Sequence, residues 1–233
     1  MPEPSALRHV RLGGLLYLAI ILLGLFGELG VRGALTVPGD AAATAQAIAA
    51  APGLWRAGIA ADLLMHVLDL PVILVLYWML KPVDKGLAQL ATAFNLVQTA
   101  VLAANKLHLL LPLFLLGDAA YLAAFSPQQL HALVALAVRA HAHGFAIGLV
   151  FFGVACLLRG WLILRSDTVP RVLGGLLALA GAAYLVNSMA LLLAPGLAAQ
   201  LFPGILVPAF VAELSLSLWM MAQGSGRPAS TPP

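Results

Sequence analysis

The residues that could do chemistry in this chain stand inside apolar runs. Asp62, His66 and Asp69 are spaced i, i+4 and i+7, which puts all three on one face of a helix. Neutral His66 with either His108 or His143, and Asp62 or Asp69 as a third donor, is a set of ligand types that zinc or another divalent metal takes in metal-dependent hydrolases, where a metal-bound water is the nucleophile. In a membrane such a hydrolase would draw lipid or amide substrates from the outer leaflet. Asp62, Asp69 and Glu213 are the candidate catalytic residues.

Other polar residues extend this set. Glu28 and Arg32 are four apart, Asn105, Lys106 and His108 fall together, and so do Arg139, His141 and His143. Tyr184, Asn187 and Ser188 follow, while Asn95, Gln98 and Thr99 lie near Asn105. Glu28, Arg32, Asn105, Lys106, Arg139, Tyr184 and Ser188 are candidates to bind a small molecule or lipid. In a proton-coupled transporter or a receptor, Arg32, Lys106 and Arg139 would meet an anion while Asp69 and Glu213 exchange protons. His141 and His143, two apart, point about 200° from each other, so at most one faces a shared site. His143 shares a face with Arg139 and is the one expected there. Haem between His66 and His143 lacks any characteristic spacing and is disfavoured.

A charge in hydrocarbon costs at least about 2.5 kcal/mol, so groups this numerous persist only when paired or facing a wet cavity. Measured from the basic helix ends at about 1.5 Å per residue, they gather in the outer half of the bilayer. The expectation is one inward-facing polar cluster open to the outside. The competing reading is a structural or accessory protein in which these groups pair, snorkel and hold helices in register.

The elements that must position them are membrane helices. The chain has 233 residues, 62% hydrophobic and 9% charged, with mean hydropathy +1.01, which excludes a soluble globular domain. The expected architecture is an all-α, single-domain bundle of six spans: Leu12 to Ala34, Ala57 to Leu80, Leu87 to Leu116, Leu130 to Leu158, Val172 to Ala194 and Gly204 to Ala222. Each provides the roughly 20 apolar residues that a crossing needs. The first follows Arg8 and Arg11 like a signal peptide but outruns a signal-peptide core, so it is expected to remain as a span. Asp40 is placed to cap a short helix over Ala41 to Ala51, on the outer surface between the first two spans. The tail from Gly224 to Pro233 has nothing apolar to bury and is expected to be disordered. Cys156, the single cysteine, reads as a buried thiol.

Basic residues sit singly at helix ends, a topology signal and not a nucleic-acid surface. Arg8, Arg11, Lys81, Lys85, Arg159, Arg165, Arg171 and Arg227 fall on one side, and Arg32, Arg56, Lys106 and Arg139 toward the other. The positive-inside rule then gives both termini in the cytoplasm. Gly144 with Gly148, and Gly174 with Ala178 and Gly181, allow close helix packing. No internal repeat marks inverted transporter halves, and nothing fixes an oligomeric state.

The run Asp40 to Thr44 with Ile48, Leu54-Trp55-Arg56, Asp62-Leu63, Leu76-Tyr77, Leu80 to Val83, Phe151 to Gly153, Pro170 to Gly174, Tyr184-Leu185 with Ser188, Glu213 to Leu216 and Leu218-Trp219 resembles a bacterial membrane family, domain of unknown function 4386. The resemblance covers nearly the whole chain. It implies a compact multi-helix protein of the bacterial cytoplasmic membrane and brings no catalytic assignment.

Overall fold

Six apolar stretches become six helices long and apolar enough to cross a membrane: Leu7–Leu35, Pro52–Leu80, Lys85–Leu115, Pro127–Leu164, Arg171–Leu193 and Gly204–Ala222. The computed structural model describes residues 4–223. The tail expected to be disordered, 224–233, lies outside the described residues. The helices are α1 (Pro4–Leu25), α2 (Ala41–Ala50), α3 (Pro52–Leu80), α4 (Lys85–Asn105), α5 (Leu107–Leu115), α6 (Pro127–Leu164), α7 (Arg171–Leu193), α8 (Pro195–Leu201) and α9 (Val207–Ala222). No strand occurs among the described residues.

The first span continues from α1 through a π-helical stretch, Phe26–Arg32, and a last turn, Gly33–Leu35. The chain then reverses at Val37-Pro38-Gly39-Asp40, where Gly39 takes φ +79 and the Asp40 amide donates to the Val37 carbonyl at 3.1 Å. Proline second and a left-handed glycine third is the residue order a type II turn requires. Asp40 then caps α2, accepting from the Ala43 amide at 2.8 Å. Short helix α2 is apolar on its inner side and buries Ala45 and Ile48 beside Trp55, Leu109 and Val134.

Both ends of the bundle's chain meet: Arg11 Nε donates to the Met221 carbonyl at 3.3 Å. The terminal end holds one apolar core, which includes Tyr17, Val75, Leu80, Leu162, Ile163 and Met220. The α2 end holds a second, and Ala180, Ala209 and Ala212 form a small third. Polar side chains are buried between the first two, while Leu22, Leu29, Val67, Leu136, Val172 and Leu193 are among the large apolar residues left exposed. That inversion of the soluble pattern is what a lipid-facing surface produces.

Glycine sets the closest helix contact. On α6, Gly153 and Gly160 face Gly181 and Gly174 of α7, and a Cβ on Gly160 would lie 2.7 Å from the Ala178 amide nitrogen. Backbones approach this closely only without side chains between them. Gly144 and Gly148 serve α4 instead, leaving the space that the Asn105 and Leu102 side chains fill.

The fourth span corrects one expectation. Its helix runs on to Leu164, so Arg159 is helical and buried rather than part of a cytoplasmic connection. The apolar run Trp161 to Leu164 beyond it carries the helix forward, and a polar partner on α4 receives its charge. At about 1.5 Å per residue, 38 residues reach well past a hydrocarbon core of about 30 Å. The short helix α8 before the last span was not expected.

Candidate functional site

The buried polar residues form two layers. Asp62 and Asp69 are seven apart on α3, and their partners Lys106 and Thr99 are seven apart across the junction of α5 and α4. Antiparallel helices keep that spacing in register, so the layers are about 10 Å apart.

The first layer lies toward α2. Asp62, 1% exposed, accepts from Arg32 Nη1 at 2.7 Å and from Lys106 Nζ at 2.9 Å. The π-helical turn brings Arg32 to it, and Gly27 of the same turn leaves room, because a Cβ there would collide with Asp62 Oδ1. Arg32 also donates from Nε to Glu28 Oε2 at 2.8 Å, and Glu28 forms an exposed rim with 61% of its side chain accessible. Lys106 occupies the break between α4 and α5 and is 2% exposed, with Nζ 5.9 Å from the Phe145 ring centroid.

Histidines border this layer. His66, one turn along α3 from Asp62, is buried and its Nε2 has no hydrogen-bond partner. His141 of α6 is buried, with Asn105 Nδ2 3.4 Å from its Nδ1 and 2.9 Å from its carbonyl oxygen. Its Nε2 has no partner either. Asn105 Oδ1 meets His108 Nδ1 at 2.9 Å.

The second layer is deeper. Asp69 Oδ2 accepts from Thr99 Oγ1 and, at 3.2 Å, from Asn95 Nδ2, which also reaches Gln98 Oε1 at 2.7 Å. Arg159 donates from Nη1 to Asn95 Oδ1, so Asn95 stands between the guanidinium and the carboxylate. The Arg159 Nη2 has no partner. Glu213 accepts from the Tyr184 hydroxyl, with Tyr17 and Cys156 in the same electrostatic neighbourhood. Every membrane-length helix therefore supplies a side chain to this level.

Several expected site residues are placed elsewhere. Arg139 is exposed, and His143 turns its Nδ1 to the Arg139 carbonyl at 2.9 Å, so His141 is the inward member of the pair. Ser188 is fully buried with Oγ unpartnered. The single expected cluster is replaced by two layers, because a seven-residue interval returns α3 to the same face two turns on.

The candidate metal set His66, His108, His143, Asp62 and Asp69 is not assembled. No three His, Cys, Asp or Glu side chains converge on a common point among the described residues. Asp62 is committed to two cations and Asp69 to Thr99 and Asn95, while His108 bonds Asn105. The histidine ring nitrogens with hydrogen-bond partners among the described residues meet Asn105 or a backbone carbonyl. The arrangement suits charge-assisted binding.

Apolar outside and charged within, the molecule is a multi-pass integral membrane protein. Residues 12–224 match the family described as Domain of unknown function (DUF4386), and the chain belongs to that family. It is similar to an uncharacterised protein of Archaeoglobus fulgidus, 26% identical over 163 residues, which is 69% of this chain and 80% of that relative. No solved structure matches it.

Sequence reasoning found Asp62, Asp69, Lys106, Asn95, Thr99 and Glu213 but missed Arg159 as a buried residue. The available signal was the uninterrupted apolar run on both sides of it, from Phe151 to Leu164.

Proposed function

We propose that this protein binds a small molecule or a membrane lipid at the first layer, from the outer face of the cytoplasmic membrane. The observation that carries the reading is the pair of buried imidazoles, His66 and His141, each with an unpartnered Nε2 beside the Arg32–Asp62–Lys106 ion pairs. A buried polar group without a partner costs about 1–3 kcal/mol. A ligand offering hydrogen-bond partners to both imidazoles recovers that cost.

The test is native mass spectrometry and thermal melting of detergent-purified protein against a panel of lipids and small metabolites. Wild type should retain or be stabilised by at least one of them, and Lys106→Met should lose that response. A wild type that responds to none, in the same way as the variant, would leave the scaffold reading in its place.

A second reading, proton-coupled transport, rests on the second layer. Asp69 and Glu213 share the neighbourhood of one guanidinium, Arg159, with Tyr17, Cys156 and Tyr184 completing the surroundings. Two carboxylates against one cation balance when one proton is bound. In a transporter, ligand binding would take up a proton in weakly buffered solution, and Glu213→Gln would remove that uptake.

A further inference from the structure

Arg32 and Lys106 share one buried carboxylate, Asp62, and the second acid on Arg32, Glu28, pairs with it at 2.8 Å from the exposed side. Lys106 has no carboxylate of its own, and its ammonium, with three N–H groups, donates one hydrogen bond among the described residues, to Asp62.

A second unused donor belongs to His141. The carbonyl oxygen of His141 can only accept, so the Asn105 group facing it at 2.9 Å is the amide nitrogen, and the amide oxygen faces His108. That same nitrogen lies 3.4 Å from His141 Nδ1 and makes Nδ1 an acceptor. The neutral ring then carries its proton on Nε2, which becomes a buried donor with nothing to donate to. His141 and His66 both lie within electrostatic reach of Lys106 and Asp62. The layer therefore holds unused donors, on Lys106 and on His141, beside a carboxylate that is already shared.

We infer that the ligand of the first layer presents an anionic oxygen group, a carboxylate or a phosphate, to Lys106 and the Nε2–H of His141, with Arg32 and His66 beside it. The inference rests on the reading of this layer as a ligand site. An acceptor-only group takes the free donors of both Lys106 and His141, and its charge strengthens those bonds. A metal cation would meet Lys106 and Arg32 and be repelled. Arg32 spans from the buried Asp62 to the exposed Glu28, and a narrow seam lined by Val31, Arg32, Trp55, Gly58, Ile59 and Leu109 runs beside it.

The test uses the full chain without a histidine tag. Acetate and inorganic phosphate are titrated in detergent, and phosphatidylglycerol and phosphatidylcholine are compared in nanodiscs, with choline as the cationic control. Saturable binding of acetate or phosphate identifies a free anion. Binding of phosphatidylglycerol alone identifies a lipid headgroup. In either case Lys106→Met and His141→Gln should each weaken affinity by about tenfold or more, a loss of about 1.4 kcal/mol. His141→Gln keeps the result interpretable where Lys106→Met fails to fold. Saturable binding of choline with none of acetate, phosphate or phosphatidylglycerol would overturn the anion while keeping the ligand site. Binding that neither variant weakens would overturn the assignment of these residues. Absence of binding by every probe and by the wider ligand panel would overturn both inferences.

Discussion

Asp62 is the residue on which the first layer depends. Its carboxylate holds Arg32 at 2.7 Å and Lys106 at 2.9 Å with almost no solvent present. Removing one partner of a buried ion pair leaves the other charge uncompensated, at a cost of about 3–5 kcal/mol. Asp62→Ala should lower stability by roughly that amount in denaturant unfolding in detergent. Adding Lys106→Met should recover a substantial part, because the second change removes the stranded cation and keeps an apolar side chain of similar length. If the double variant were no more stable than Asp62→Ala alone, the ion pair would not be the source of the loss. These residues were legible in the sequence because each is an ionisable group in an apolar run. Their pairing was not: spacing puts Asp62, His66 and Asp69 on one face, but it cannot say which cation from another helix arrives there.

At the scale of elements, α6 and α7 form the tightest contact, and its cause is four glycines in two facing pairs. Gly153 meets Gly181 and Gly160 meets Gly174, with a Cβ on Gly181 falling 2.6 Å from the Gly153 carbonyl oxygen. The obstacle is backbone, which has no rotamer with which to yield. Gly181→Leu and Gly160→Leu should each separate the helices and cost at least about 1–3 kcal/mol. Gly175→Leu, on the same helix with nothing within 4 Å, is the control and should be near neutral. Thermal melting of the three variants in one detergent checks this, and equal losses in all three would show that the interface is not their source. The sequence showed the small residues of α6 and α7 without saying what each meets, and the fold assigns Gly144 and Gly148 to α4. Small residues advertise that something comes close without naming the neighbour.

Across the whole molecule, six spans and a contact between Arg11 and Met221 bring both termini to one end, where Lys81, Lys85, Arg165 and Arg171 also lie at the helix junctions. By the positive-inside rule that end is expected to face the cytoplasm. In a Cys156→Ser background, Asp118→Cys should react with a membrane-impermeant maleimide in intact cells, and Asp84→Cys only after the cells are opened. The reverse pattern would invert the orientation and move the first layer to the cytoplasmic side. The number of spans, their all-helical nature, the capped helix after Asp40 and the identity of most buried ionisable residues follow from the sequence, because hydrocarbon solvation acts on each segment separately and demands length and apolarity from each. The division into two layers, the choice of His141 over His143, and the recruitment of Arg159 into the interior were decided only by the tertiary structure. Those outcomes depend on the rotation and register of each helix against its neighbours, which pairing energies between distant residues determine and no single segment contains.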